Sequence, residues 1–367
     1  MSTDFARQGF TFGKCGASDL TKCLNSLTSK QLDDPCVRRN AVLLAVIQYP
    51  ISLIGIVLNL ITVFNILGTK SLWSNVSMLL ISNMALCDLS SCLDALIITT
   101  ILLDVPYERF LDNVRSICLP LGLLWFVGIC GSTIVSSLLT IERYLAIVFA
   151  MKPHVRMRHK IAKLLLALTW LLVLTLGFYS LAEEFSTHNS FCIPGAATEK
   201  SPKHLRFIIP VGIIGMMLFV VNIFLYIHIY LVVRKSQHNM GIKKESRTAK
   251  RIAALVFTNM VFFFAPIFMT GILVLSDTYP TIQADGEGEI WRMVVTLYFP
   301  VVCFNLNACI NPLWYAFRNK KFKAGLKEKL NSLMSHLLNF WQKMSVCCSN
   351  KNTYEPNPSD KKDIEMN

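Results

Sequence analysis

The chain predicts an all-α membrane protein: a seven-transmembrane helix bundle with a short amphipathic eighth helix. Seven long apolar stretches, each bounded by polar loops, run between Ala41 and Phe317. A hydrocarbon core about 30 Å thick takes roughly 20 residues of helix to cross, because a bare backbone amide has no partner in lipid. The basic residues between the stretches fall on alternate loops, as they do when every second loop faces the cytoplasm. The expected division is an outer arm over 1–40, the bundle over 41–317, a membrane-surface helix over 318–332 and a cytoplasmic tail over 333–367.

The arm is polar and too small to close a core without disulfides or metal. It lacks the basic flank, apolar run and cleavage site of a secretory signal, so the first span is expected to direct its own insertion. Its cysteines are Cys15, Cys23 and Cys36. With Cys118 and Cys192 they make five on the oxidising side, and the sequence leaves their pairing open. The first two spans, near 41–68 and 76–103, carry Asn59 and the acids Asp88 and Asp94. An ionisable residue at membrane depth is costly, and marks a functional site by default.

The third span, near 115–148, runs from Cys118 to Glu142-Arg143-Tyr144, and a loop with Lys152, Arg156 and Arg158 follows. The fourth, near 160–182, holds Trp170, and the fifth lies near 205–234. Arg234, Lys235, Lys243, Lys244 and Arg247 lead into the sixth, near 246–275, with Pro266. Asp277, Asp285, Glu287 and Glu289 make the next loop acidic. The seventh span, near 291–317, closes on Asn311-Pro312-Leu313-Trp314-Tyr315. This bias sets the amino terminus outside and the carboxyl tail inside. Past Phe317, the residues Phe322, Leu326 and Leu330 at helical spacing among lysines read as a helix lying on the membrane.

The composition is 53% hydrophobic with a net charge of +13. In a soluble chain that charge would suggest nucleic acid. Here it sits on inner loops, so anionic lipid and a cytoplasmic protein are the expected partners, with no nucleic acid. Cys87, Cys92, Cys130, Cys303 and Cys309 lie within spans, as small buried hydrophobes do. Cys347 and Cys348 are adjacent on the inner side and are either palmitoylated or ordinary tail cysteines.

Taken together and in order, Asn59, Asn83 to Leu89, Cys118, Glu142-Arg143-Tyr144, Trp170, Pro266, Asn311 to Tyr315 and Phe322 resemble the rhodopsin-like, or class A, G-protein-coupled receptors. Tyr226 to Leu231, Glu245 to Arg251, Phe257-Thr258-Asn259 and Ala265-Pro266-Ile267 are similar to the glycoprotein-hormone and relaxin receptor branch. Leu218 stands where most of the class has a proline, as in that branch. Two features depart from it: no leucine-rich-repeat ectodomain is present, and the stretch from Lys250 to Pro266 is one residue longer.

The resemblance implies a plasma-membrane receptor, not an enzyme, that couples an extracellular ligand to a heterotrimeric G protein and can engage arrestin. It implies a Cys118–Cys192 disulfide tying the second outer loop over the bundle mouth. Glu142, Arg143, Tyr144, Tyr226, Glu245, Asn311, Pro312 and Tyr315 would form the coupling switch. Asn59, Asp88, Ser132, Asn307 and Asn311 would converge on an allosteric sodium ion, with a water-filled polar network as the alternative. Trp125, Phe126, Ile129, Phe264, Phe268 and Asn305 would line an apolar upper cavity, though such residues are as often plain packing. Trp125 stands where aminergic receptors have an acid and Asn305 where opsins have the retinal lysine, which argues against both. A peptide or a small apolar molecule is the favoured ligand. A seven-span binding or scavenging protein, and a carrier with Asp88 and Asp94 as relay groups, are the competing classes.

Overall fold

The computed structural model describes residues 35–104, 107–183, 192, 202–240, 258, 261–262, 266, 299–317 and 319–350. Among them there is no β-strand. Helix α1 spans Pro35–Leu67, so it begins inside the predicted arm. Pro35 suits a first helical position, where the missing N–H would be unsatisfied anyway. Helix α2 spans Val76–Asp104, and Asn75 Oδ1 caps it by accepting from the Met78 backbone N–H at 3.2 Å.

The third span is interrupted. Helix α3 covers Tyr107–Phe126, a π-helical turn covers Val127–Gly131, and α4 covers Ser132–Val148. Helices α5, α6 and α7 cover His159–Ala182, Pro202–Met240 and Phe299–Tyr315. Five stretches are long and apolar enough to cross a membrane: Val46–Leu67, Val76–Ile101, Ser116–Val148, Pro153–Ala182 and Ile209–Lys235. They coincide with the first five predicted spans. The seventh is represented by α7, whereas most of the sixth, with Glu245, Phe264 and Phe268, lies outside the described residues.

Helix α1 packs along α2 and against α7, and α2 packs on the third span. Small residues allow these approaches. A Cβ on Gly55 of α1 would fall 2.5 Å from Cys92 Sγ of α2 and 3.0 Å from Cys309 Sγ of α7. Cys92 and Cys309 are buried free thiols, as are Cys87 and Cys303. Outward-facing apolar residues such as Val57, Phe64, Leu171, Met217 and Phe224 are half or more exposed. In water that surface would aggregate; in lipid it is solvated.

Residues from Asn319 onward form a separate compact unit. Within it α8 spans Lys320–Asn350, capped by Asn319 Oδ1, which accepts from the N–H groups of Lys321 at 2.9 Å and Phe322 at 3.3 Å. The predicted surface helix ended at residue 332. The observed one continues well into the predicted tail and includes the backbone of Cys347 and Cys348. Residues 333–346 hold no proline or glycine, so nothing local stops the helix.

Candidate functional site

In mid-bundle, Asp88 is almost fully buried. Ser132 Oγ, the first residue of α4, donates to Asp88 Oδ1 at 2.7 Å. Asn311 Nδ2 of α7 donates to Asp88 Oδ2 at 2.9 Å. One carboxylate thus ties three helices together, and a buried acid held this way costs less than a bare one. The predicted network is partly gathered. Asn59 Nδ2 donates elsewhere, to the carbonyls of Gly55 at 2.9 Å and Ala308 at 3.1 Å. Asn59 Oδ1 and Asn307 Oδ1 are buried and accept no hydrogen bond. The carboxylate of Asp88 with the Ser132 hydroxyl and the Asn311 amide is an oxygen-bearing set of the kind that suits a hard monovalent cation with water.

At the end of α4 nearer the basic loop, Arg143 Nε lies 3.5 Å from Glu142 Oε2, with the Arg143 side chain 41% exposed and that of Glu142 12%. At 3.5 Å the contact is a loose one, since Glu142 Oε2 is buried yet accepts no hydrogen bond. Glu142 alone therefore restrains Arg143 only weakly.

Beside it, α4 and α6 share three polar rungs. Asn222 Nδ2 donates to Ser137 Oγ at 2.8 Å. The hydroxyls of Thr140 and Tyr226 are hydrogen-bonded at 3.0 Å. Tyr144 OH lies 3.0 Å from His228 Nδ1. Tyr226 is buried with Ile229 and Val233 in a cluster that Tyr144, Ile147, Val148 and Trp314 close over. Sequence reading named Tyr144 and Tyr226 but not Ser137, Thr140, Asn222 or the His228 contact. Their signal is the helical spacing of Ser137, Thr140 and Tyr144 on α4 and of Asn222 and Tyr226 on α6, among aliphatic residues; His228, two residues past Tyr226, falls outside that spacing. The Pro312 carbonyl accepts from Ala316 N at 2.9 Å and Phe317 N at 3.0 Å; the Tyr315 side chain lies outside the described set.

Towards the other end, Cys118 and Cys192 form a disulfide with Cα atoms 4.6 Å apart. Both are fully buried and pack with Ile98 and Leu121. Phe126 is buried and stacks on Phe207 of α6 with ring centroids 6.0 Å apart. Trp125 packs beside it, half-buried, as is Ile129 in the π turn. Asn305 is buried, its Nδ2 donating to the Val301 carbonyl at 2.9 Å while Oδ1 accepts nothing. Trp170 Nε1 of α5 donates to Asn83 Oδ1 of α2 at 3.0 Å.

An acid bridging three helices in mid-bundle, an arginine at one end and a disulfide at the other define a polytopic receptor bundle. The family described as the 7 transmembrane receptor (rhodopsin family) matches residues 58–315, and the chain belongs to it. Membership sets it among receptors rather than carriers.

The chain is similar to the thyrotropin receptor of Felis catus, 30% identical over 188 residues, covering 51% of this chain and 23% of that receptor. It is similar to a probable glycoprotein hormone G-protein coupled receptor of Anthopleura elegantissima, 26% identical over 299 residues, 79% of this chain and 31% of the relative. A C-C chemokine receptor type 8 of Mus musculus is 25% identical over 317 residues, 82% of this chain and 83% of that receptor. The chain thus spans under a quarter of the thyrotropin receptor it matches.

Proposed function

We propose that this chain is a plasma-membrane receptor, amino terminus outside and carboxyl tail inside, that turns binding of an extracellular ligand into nucleotide exchange on a heterotrimeric G protein. The observation that carries the reading is Arg143, held weakly by Glu142 and with its side chain 41% exposed beside the basic loop. A charged donor fork so placed can meet a carboxyl-terminal helix of a cytoplasmic partner when the bundle repacks.

The ligand acts by population shift, binding one packing better than the other. Asn311 couples the mid-bundle to that change, since it bonds Asp88 and directly precedes Pro312, where α7 has lost a backbone donor. A sodium ion at Asp88, with Asn59, Ser132, Asn307 and Asn311 around it, would favour the resting packing. Arrestin would use the same inner face. Helix α8, with palmitoyl groups on Cys347 and Cys348, would rest on anionic lipid.

The test is guanine-nucleotide exchange on a panel of G proteins in membranes carrying the full chain, with Arg143→Ala as control. Exchange above that control, with surface expression equal, is the expected result. Equal exchange from both, at any ligand condition, would mean that Arg143 is not the coupling residue.

A further inference from the structure

Among the described residues Asp94 is the other buried Asp, 5% exposed, and nothing in the coupling scheme uses it. Its Oδ1 is sealed from solvent and accepts no hydrogen bond. Two contacts fix what it faces. A Cβ on Gly128 of the π turn would fall 2.8 Å from Ser91 Cβ and 2.9 Å from Ser91 N on α2. Further along, Ile98 of α2 packs with Cys118 and Leu121 of α3. Ser91, Asp94 and Ile98 stand three and four residues apart, so they share one face of α2. The two helices are antiparallel, and the contacts step by the same number of residues along both. Asp94 therefore lies level with Trp125, about two turns from Asp88.

Among the described residues of the helices packed around it, no cation serves it. Residues 46–67 of α1, all of α2, residues 116–142 of the third span and all of α7 contain no Lys, Arg or His. Yet an unpaired buried carboxylate costs several kcal/mol or must stay neutral. Beside it the third span breaks regular α geometry at Val127–Gly131. Such a turn re-aims the residues before it, here Trp125 and Phe126, and commonly marks a functional site. Trp125 is half-buried. An acid level with an indole on the facing helix suits a cation that brings its own apolar body.

We propose that Asp94 anchors a basic group of the ligand, a guanidinium or ammonium on an aromatic or aliphatic body, with Trp125 packing against that cation. This rests on the receptor reading and names its ligand class. The acid that the third span lacks at Trp125 is thus supplied at the same level by α2.

The experiment measures thermal stabilisation of the purified full chain in micelles by three probes. They are 2-phenylethylguanidinium, N-acetyl-Phe-Arg-amide and the neutral isostere 2-phenylethylurea. At least one cation should raise the unfolding temperature dose-dependently, with the urea inert. Asp94→Asn should weaken the effective cation by about thirtyfold or more, the usual cost of removing one partner of a buried charge pair. Asp94→Glu, which keeps the charge if Asn impairs folding, should retain the response, and Arg143→Ala should leave it intact.

A response to the free guanidinium alone would mark a small amine ligand, to the peptide alone a peptide; both support the site. No response to either cation, or equal responses in wild type and Asp94→Asn, would overturn it. Because the readout needs no G protein, an Asp94-dependent shift without nucleotide exchange would overturn coupling and leave the ligand class standing. Exchange without the shift would do the reverse.

Discussion

Asp88 accepts one hydrogen bond at each carboxylate oxygen, from Ser132 and Asn311, while Asn59 Oδ1 and Asn307 Oδ1 accept none. Acceptors therefore outnumber donors, an imbalance that a cation would offset. If sodium occupies the centre, unfolding of the purified chain should shift upward in sodium chloride relative to an equal concentration of potassium chloride. Asp88→Asn should remove that difference while keeping helix content. A sodium response that survives the substitution would place the ion elsewhere. At this scale the sequence was legible wherever one residue carries a rare property. A carboxylate inside an apolar run is visible, and so are two cysteines on one face. Orientation was not: the sequence supplies Asn59, but not that its amide turns to the Ala308 carbonyl. The choice between a side-chain acceptor and a neighbouring carbonyl is made by helix register.

Among the elements, the main surprise is the interrupted third span, which the apolar pattern from 115 to 148 reads as one helix. A π turn shifts the register without changing composition, so hydrophobicity carries no trace of it. It sits where Gly128 lets the backbone of Ser91 approach. Gly128→Ala should therefore force α2 and the third span apart, at about 1–3 kcal/mol. On α6, a Cβ on Gly215 meets nothing within 4 Å, so Gly215→Ala should be neutral or stabilise by up to about 1 kcal/mol through helix propensity. Opposite signs in the unfolding temperatures are expected. A loss at Gly215 as large as at Gly128 would mean that propensity in the micelle, rather than the close approach, governs both. The rungs between α4 and α6 escaped notice for a related reason. A Ser or Thr inside an apolar helix usually bonds its own backbone, as Thr140 also does to the Ser136 carbonyl at 2.8 Å, so its second contact shows only once the partner helix is in place.

For the whole molecule, the strongest long-range constraint is the bond between Cys118 and Cys192, 74 residues apart in sequence. Closing a loop of that length in the unfolded chain corresponds to about 4 kcal/mol in the chain-entropy account. Cys192 is also held at φ 54°, a left-handed conformation that an L-residue with a Cβ adopts only under constraint. Both sulfurs are buried against Ile98 and Leu121, so the bond closes the Cys118 end of the α2–α3 contact along which Asp94 lies. Cys192→Ser should lower the unfolding temperature and weaken cation binding at Asp94 together, because loosening that end frees the register between Asp94 and Trp125. Cys118→Ser should match it, and the double substitution should be no worse than either single one, since all three break the same bond. A double variant clearly less stable than both singles would show that the cysteines contribute by separate packing. A Cys192→Ser chain as stable and as cation-responsive as the parent would mean that helix packing alone holds the Asp94 site.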